Sequence, residues 1–258
     1  PKPMIRPTQG QNAKMTKPPV SLISFDLDNT LWPTKTVIRR AERALQSWLK
    51  QQHPEAWEQQ LQPPNFLALR EQLVSHKPHL KHKPTALRLQ VLAMGFRQAG
   101  YAEPHAQQAA EAGFAHFIAV RNQVSFFPQA IEVLQQLSRH FRLVAITNGN
   151  ADLQRIGLGH MFAQQYTAEQ VGYTKPDARI FQHMLADQHL RAEQCIHIGD
   201  HPEEDIAAAQ ACGLHTVWAN VIQAPWPQHL PKPVYTVQHL HQLPSIINEN
   251  FTPHESTS

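Results

Sequence analysis

A doubly wound α/β fold, a parallel sheet with an inserted helical domain, is what three features of this sequence predict. Short β-type runs alternate with helical patterns along most of its 258 residues, as expected of parallel strands joined by crossover helices. Polar residues suited to chemistry follow these runs at Asp26 and Asp28, Thr147, Lys175 and Asp200. In such a sheet all strand C-termini share one edge, where ligands bind. About 116 residues separate the first of these loops from the second, far more than one crossover helix needs.

Residues 1–18 carry Lys2, Arg6, Lys14 and Lys17, four prolines and no acid, and read as a flexible basic tail. They lack an apolar stretch, so a secretory signal is not expected. Val20-Ser21-Leu22-Ile23-Ser24-Phe25 is the first core strand, and it delivers Asp26-Leu27-Asp28-Asn29-Thr30 to the sheet edge. Two carboxylates that close cost energy unless a cation or a phosphoryl group sits between them. Trp32, just beyond, either lines the entrance of that site or packs beneath whatever covers it.

Residues 34–123 form the insertion. Helical periods run through Val37–Leu45, Phe66–Leu69, Ala86–Leu92 and Ala109–Val120, punctuated by Pro63-Pro64, Pro78, Pro84 and Pro104. This stretch holds 12 basic and 6 acidic side chains, although the whole chain is only +3. A basic insertion opposite an acidic loop cluster would concentrate anions between them. Arg39, Arg40 and Arg43 follow the first loop most closely, and one or two of them could face inward on a helix. His76, His79 and His82 are spaced by three, but the lysines among them would repel a metal, so a solvated loop is expected.

Phe126-Phe127-Pro128 returns the chain to a core made of residues 19–33 and 124–250. Ile131–Leu137 reads as a helix, and Phe141–Ile146 as a strand ending at Thr147-Asn148-Gly149. Gly172-Tyr173-Thr174 is a short strand-like run before Lys175-Pro176-Asp177, and Ile180–Leu185 is a helix. Cys195–Ile198 leads to Gly199-Asp200 and on to Asp205, with His197 and His201 flanking Asp200. Residues 251–258 read as a flexible C-terminus. Cys195 and Cys212 lack metal-site spacing and fit free thiols in a reducing cytoplasm. No apolar run approaches the ~20 residues of a membrane span. A cytoplasmic protein is expected, with neither membrane nor nucleic acid as partner.

The order and chemistry of these loops resemble the haloacid dehalogenase superfamily. Asp26-Leu27-Asp28-Asn29-Thr30-Leu31 matches its first motif, Thr147 its second, Lys175-Pro176-Asp177 its third, and Gly199-Asp200 through Asp205 its fourth. The resemblance covers about residues 20–248 and implies a Rossmann-like core, with 34–123 as a helical cap inserted after the first motif. It also implies an aspartate nucleophile, and a carboxylate with a reference pKa of about 3.9 is already ionised at neutral pH.

By this resemblance Asp26 attacks phosphorus, while Asp28 protonates the leaving alcohol and then takes a proton from the hydrolytic water. Thr147, Asn148 and Lys175 bind the phosphoryl oxygens. Asp26, the backbone carbonyl of Asp28 and Asp200 hold Mg²⁺, and Asp205 orients Lys175 or a metal-bound water. A halide leaves without a proton, so Asp28 points to a phosphatase or phosphomutase rather than a dehalogenase. The expected activity is Mg²⁺-dependent hydrolysis of a small phosphorylated metabolite through an aspartyl-phosphate. The layout is also similar to helical-capped phosphatases acting on flavin-type phosphates, including the ribitylaminouracil phosphate of riboflavin synthesis. A sugar phosphomutase and a non-catalytic phosphate-binding regulator are the alternatives.

Overall fold

Why the first strand is central follows from its residues. Leu22–Phe25 (β2) is buried at every position, which only a strand covered on both faces can be. A computed structural model describes residues 18–253; most of the expected basic tail and the last five residues lie outside them. Parallel partners flank β2: Arg142–Thr147 (β3) on one side and Cys195–Gly199 (β5) on the other. Gln164–Thr167 (β4), His215–Ala219 (β6) and Tyr235–Val237 (β7) complete a six-stranded sheet in the order β4-β3-β2-β5-β6-β7.

Side chains alternating along β2 enter two separate cores. Ile23 and Phe25 join Val133, Leu134, Leu243 and Ile247 on one face, while Leu22 joins Ile180, Phe181 and Met184 on the other. The sheet is therefore doubly wound. All its strands run parallel, so Asp26, Thr147 and Asp200 emerge at one edge.

The insertion is helical. Thr34–Gln52 (α1), Pro54–Ala56 (α2), Pro63–His76 (α3), Pro84–Gln98 (α4) and His105–Arg121 (α5) form it. Val37, Ala41, Leu45 and Leu49 of α1 recur every fourth residue, so they share one face, and all four are buried. Asn29 Oδ1 accepts the Thr34 N–H at 3.1 Å and starts α1, and a proline at position 54 follows its end. Leu45, Leu49, Phe96 and Phe117 make a hydrophobic centre of the insertion's own, separate from those of the sheet. The sheet's helices are Ala130–Leu137 (α6), Leu153–Ile156 (α7), Ala168–Val171 (α8), Ala178–Gln188 (α9), Ala208–Ala211 (α10) and Leu243–Asn250 (α11).

Two expectations need correction. Gly172-Tyr173-Thr174 is not a strand: Gly172, at φ +85°, closes α8, and Lys175 follows in a loop. Glycine suits that left-handed position, which other residues adopt only at a cost. Nor are residues 251–253 loose; the rest of the expected flexible C-terminus lies outside the described residues. Phe251 is buried against Tyr235 and His215, and Thr252–Pro253 (β8) pairs in parallel with Pro19–Val20 (β1). One aromatic side chain anchors a segment whose composition otherwise reads as unstructured.

Candidate active site

Lys175 is the electrostatic centre of the site. Only 4% exposed, its ammonium spends three N–H groups on Asp26 Oδ1 at 2.6 Å, Asp205 Oδ1 at 2.6 Å and the Ile146 carbonyl at 3.0 Å. Asn148 fixes the backbone beneath it. Its Oδ1 accepts the Lys175 N–H at 2.8 Å, and its Nδ2 donates to the Lys175 carbonyl and to Glu204. The Asn148 side chain was expected on the phosphoryl group. It is committed instead to positioning Lys175, because its amide matches the complementary backbone pair one loop away.

Asp205 lies on a turn of π-helix over Pro202–Ala207, capped by the His201 ring, which accepts the Glu203 and Glu204 N–H groups. It reaches Lys175 by passing over Gly199, where an added Cβ would collide with Asp205 Cγ. Fully buried His197 supports it from below. A carboxylate only accepts, so His197 Nε2 carries the proton donated to Asp205 at 3.1 Å, and Nδ1 accepts from Ser24 at 2.8 Å. Burial holds the His197 imidazole below its ordinary pKa, consistent with this neutral form. His197, which the sequence places near Asp200, is thus a strut of the site.

Three carboxylates crowd around the Lys175 ammonium, which bonds two of them. Asp26, Asp200 and Asp205 each offer an oxygen within 4.8 Å of one another, and the Thr30 hydroxyl lies 3.1 Å from Asp26 and 3.4 Å from Asp200. Burial raises the Asp205 carboxyl, but Lys175 and His197 outweigh it, and it ends well below the usual range. Burial pushes Asp200 up to about 7, helped by the Asp205 charge. Burial likewise raises Asp26 well above its ordinary value, against the pull of Lys175. Burial alone would lower the Lys175 pKa; Asp205 and Asp26 together raise it. Asp26 and Asp200 thus stand short of positive charge, and hard carboxylate oxygens so placed fit a small divalent cation.

Asp28 points away from this cluster. Its carboxylate accepts from Trp32 Nε1 and Thr34 Oγ1, both at 2.9 Å, and from Arg121 Nη2 at 2.6 Å. Trp32 is wholly buried and edge-on to Phe126, so it packs and orients Asp28 rather than lining an entrance. Arg121, the last residue of α5, is 1% exposed, and its Nε and Nη1 have no hydrogen-bond partner among the described residues. Sequence reasoning missed it. The only available signal was an arginine at the return of the insertion, beside an apolar run.

A cavity of about 170 Å³ lies among Asp26, Asp28, Thr147 and Asp200. The Thr147 hydroxyl accepts the Gly149 N–H at 3.0 Å and keeps its own proton to donate. The insertion closes over this edge at two further contacts. Glu169 accepts the N–H groups of Thr85 and Ala86 at the start of α4, and the His82 ring meets the Thr174 hydroxyl. The side chains of Arg39, Arg40 and Arg43 are exposed on α1 and line neither this cavity nor the one beside it. They are the solvent face of a helix whose other face is spent on packing.

Residues 20–213 match the model of the haloacid dehalogenase-like hydrolases. Over 201 residues the chain is 29% identical to the 5-amino-6-(5-phospho-D-ribitylamino)uracil phosphatase YigB of Escherichia coli (strain K12), covering 77% of this chain and 83% of that protein. It is 32% identical to a phosphoserine phosphatase of Thermus thermophilus over 139 residues, 52% of this chain and 54% of that one. The crystal structure of a protein named 2-haloacid dehalogenase, from Pseudomonas syringae pv. Tomato DC3000, superposes with a TM-score of 0.84 at 38% identity. That match covers 89% of this chain and 99% of the other.

Proposed function

The chain belongs to the haloacid dehalogenase-like hydrolases, and from that membership we propose that it is a phosphoric monoester hydrolase with Asp26 as nucleophile. Its named phosphatase relatives support this reading. The observation that carries it is Asp28, a carboxyl group fixed by Arg121, Trp32 and Thr34 at the edge of the pocket Asp26 faces. An alkoxide needs a proton as it departs, and this group stands where one can be given.

In the first half-reaction an Asp26 oxygen bonds to phosphorus, the bond to the leaving oxygen breaks, and that oxygen takes the Asp28 proton. In the second, water attacks the aspartyl-phosphate and returns a proton to Asp28, releasing phosphate. The Thr147 hydroxyl and Lys175 face the negative charge that develops. A divalent cation, Mg²⁺ in our reading, would be held by Asp26, Asp200 and the Asp28 carbonyl. When bound it supplies positive charge that favours ionised Asp26 and neutralises the phosphoryl oxygens. Asp205 keeps Lys175 in place. The helical cap excludes water during transfer.

The dehalogenase name borne by the 38%-identical Pseudomonas protein raises a second reading, in which a halide departs. Halide departure leaves Asp28 and its three donors without a task. Purified protein with Mg²⁺ should release phosphate from p-nitrophenyl phosphate and no chloride from 2-chloropropionate. Asp26→Asn should abolish the first reaction and any trapped phospho-enzyme. Chloride release without phosphate release would overturn the phosphatase reading. Isomerised sugar phosphate without free phosphate would replace it with a mutase.

A further inference from the structure

The pocket over Asp26 and a second cavity adjoin at Gly149. This residue lines both the phosphoryl cavity and a second one of about 450 Å³, within the ~300–1,000 Å³ typical of small-molecule sites. A Cβ at Gly149 would lie 2.6 Å from Asp28 Oδ2, so the missing side chain keeps the passage beside the acid clear. An oxygen protonated by Asp28 would lie beside Gly149, where the second cavity begins.

The second cavity is lined mostly by residues with polar side chains, with no lysine or arginine among the described lining residues. Asp152 and Glu169 supply negative charge, the first capping α7 and the second holding the start of α4. Gln165 is spent on the Leu153 N–H and the Ala151 carbonyl. Among the described residues the side-chain amides of Asn150 and Gln154, and the Gln170 Nε2, make no hydrogen bond. Arg121 is turned to Asp28, and Arg155 pairs with Asp152 at 3.5 Å without lining the cavity. The basic character of the cap does not reach this cavity.

We propose that this cavity takes the leaving group and selects one that is uncharged and hydroxyl-rich, such as a polyol or open-chain sugar, over one bearing a carboxylate or a second phosphate. The inference rests on the phosphatase reading. Uncommitted amides can donate to and accept from hydroxyls and so replace the water a polyol loses. An anion would meet Glu169 and an Asp152 only partly offset by Arg155, with no lysine or arginine among the described lining residues, and discrimination of this kind is set by the unfavourable partner.

The test uses the full chain with Mg²⁺ and hydrolysis of p-nitrophenyl phosphate as the reporter. sn-Glycerol 3-phosphate and 3-phosphoglycerate, which differ by a hydroxymethyl group in place of a carboxylate, are titrated as competitors. The glycerol ester should compete at a concentration at least about tenfold lower. Gln154→Lys, which brings a cation to the cavity from an exposed helix position, should shrink that ratio at least about threefold. Equal inhibition constants, tighter binding of 3-phosphoglycerate, or an unchanged ratio in Gln154→Lys would overturn the inference while leaving a phosphatase. Absence of p-nitrophenyl phosphate hydrolysis would overturn the phosphatase reading, and this inference with it.

Discussion

Replacing Arg121 with methionine should separate catalysis from stability. The Arg121–Asp28 contact is 2.6 Å, with the arginine side chain 1% and the aspartate 21% exposed. A hydrogen bond to a charged group contributes about 1.5–3 kcal/mol. If that interaction sets the Asp28 carboxyl in line with the leaving oxygen, its loss lowers kcat by about 10- to 150-fold for an alkyl phosphate. p-Nitrophenolate departs with little protonic help, so the loss there should stay within about threefold. Stability should move the other way or hardly at all. Arginine buries two nitrogens, Nε and Nη1, with no partner among the described residues, and each buried donor left unpaired costs about 1–3 kcal/mol. Asp28 keeps Trp32 and Thr34 as donors and reaches solvent, so the usual cost of stranding a buried charge is reduced. Urea melts should place Arg121→Met within about 1 kcal/mol of the parent, and Arg121→Lys should recover part of the alkyl-phosphate activity. Equal losses with both leaving groups, or unfolding of the methionine variant, would refute the reasoning and leave Arg121 a structural residue.

Three further outcomes follow from the same geometry. Asp205→Asn should cost about 3 kcal/mol, the low end for a broken buried pair because Lys175 keeps Asp26, and urea denaturation will show it. Asp26 and Asp200 have folded pKa values above their unfolded ones, so their contribution is full at low pH and is lost as pH rises, for Asp200 through about 7. Metal-free protein should therefore lose stability over that range, and Mg²⁺ should raise Tm more at about pH 8 than at about pH 6, a difference thermal shift reads directly. Phe251→Ala should cost about 3–5 kcal/mol if the C-terminal segment is core, and a change under 1 kcal/mol would return it to the status of a loose end.

The sequence alone determined the parallel sheet, the helical insertion and which loops meet. Strand-end position and residue type are local properties, and Asp26, Asp28, Thr147 and Asp200 could be chosen from them; Lys175, which follows a helix-closing turn, and Asp205, on a helical turn, were placed by their resemblance to the family's motifs. Tertiary structure decided what each side chain touches. Asn148 turns to the Lys175 backbone, His197 points inward to Asp205, and Arg121 crosses 93 positions of sequence to reach Asp28. The count of basic residues in the cap suggested an anion-collecting surface, yet Arg39, Arg40 and Arg43 face solvent and no lysine or arginine is among the described residues lining the cavity beside Gly149. Charge is a sum over the sequence, but its effect falls off with distance and with the solvent between. Only the packing of the helices fixes where each charge stands.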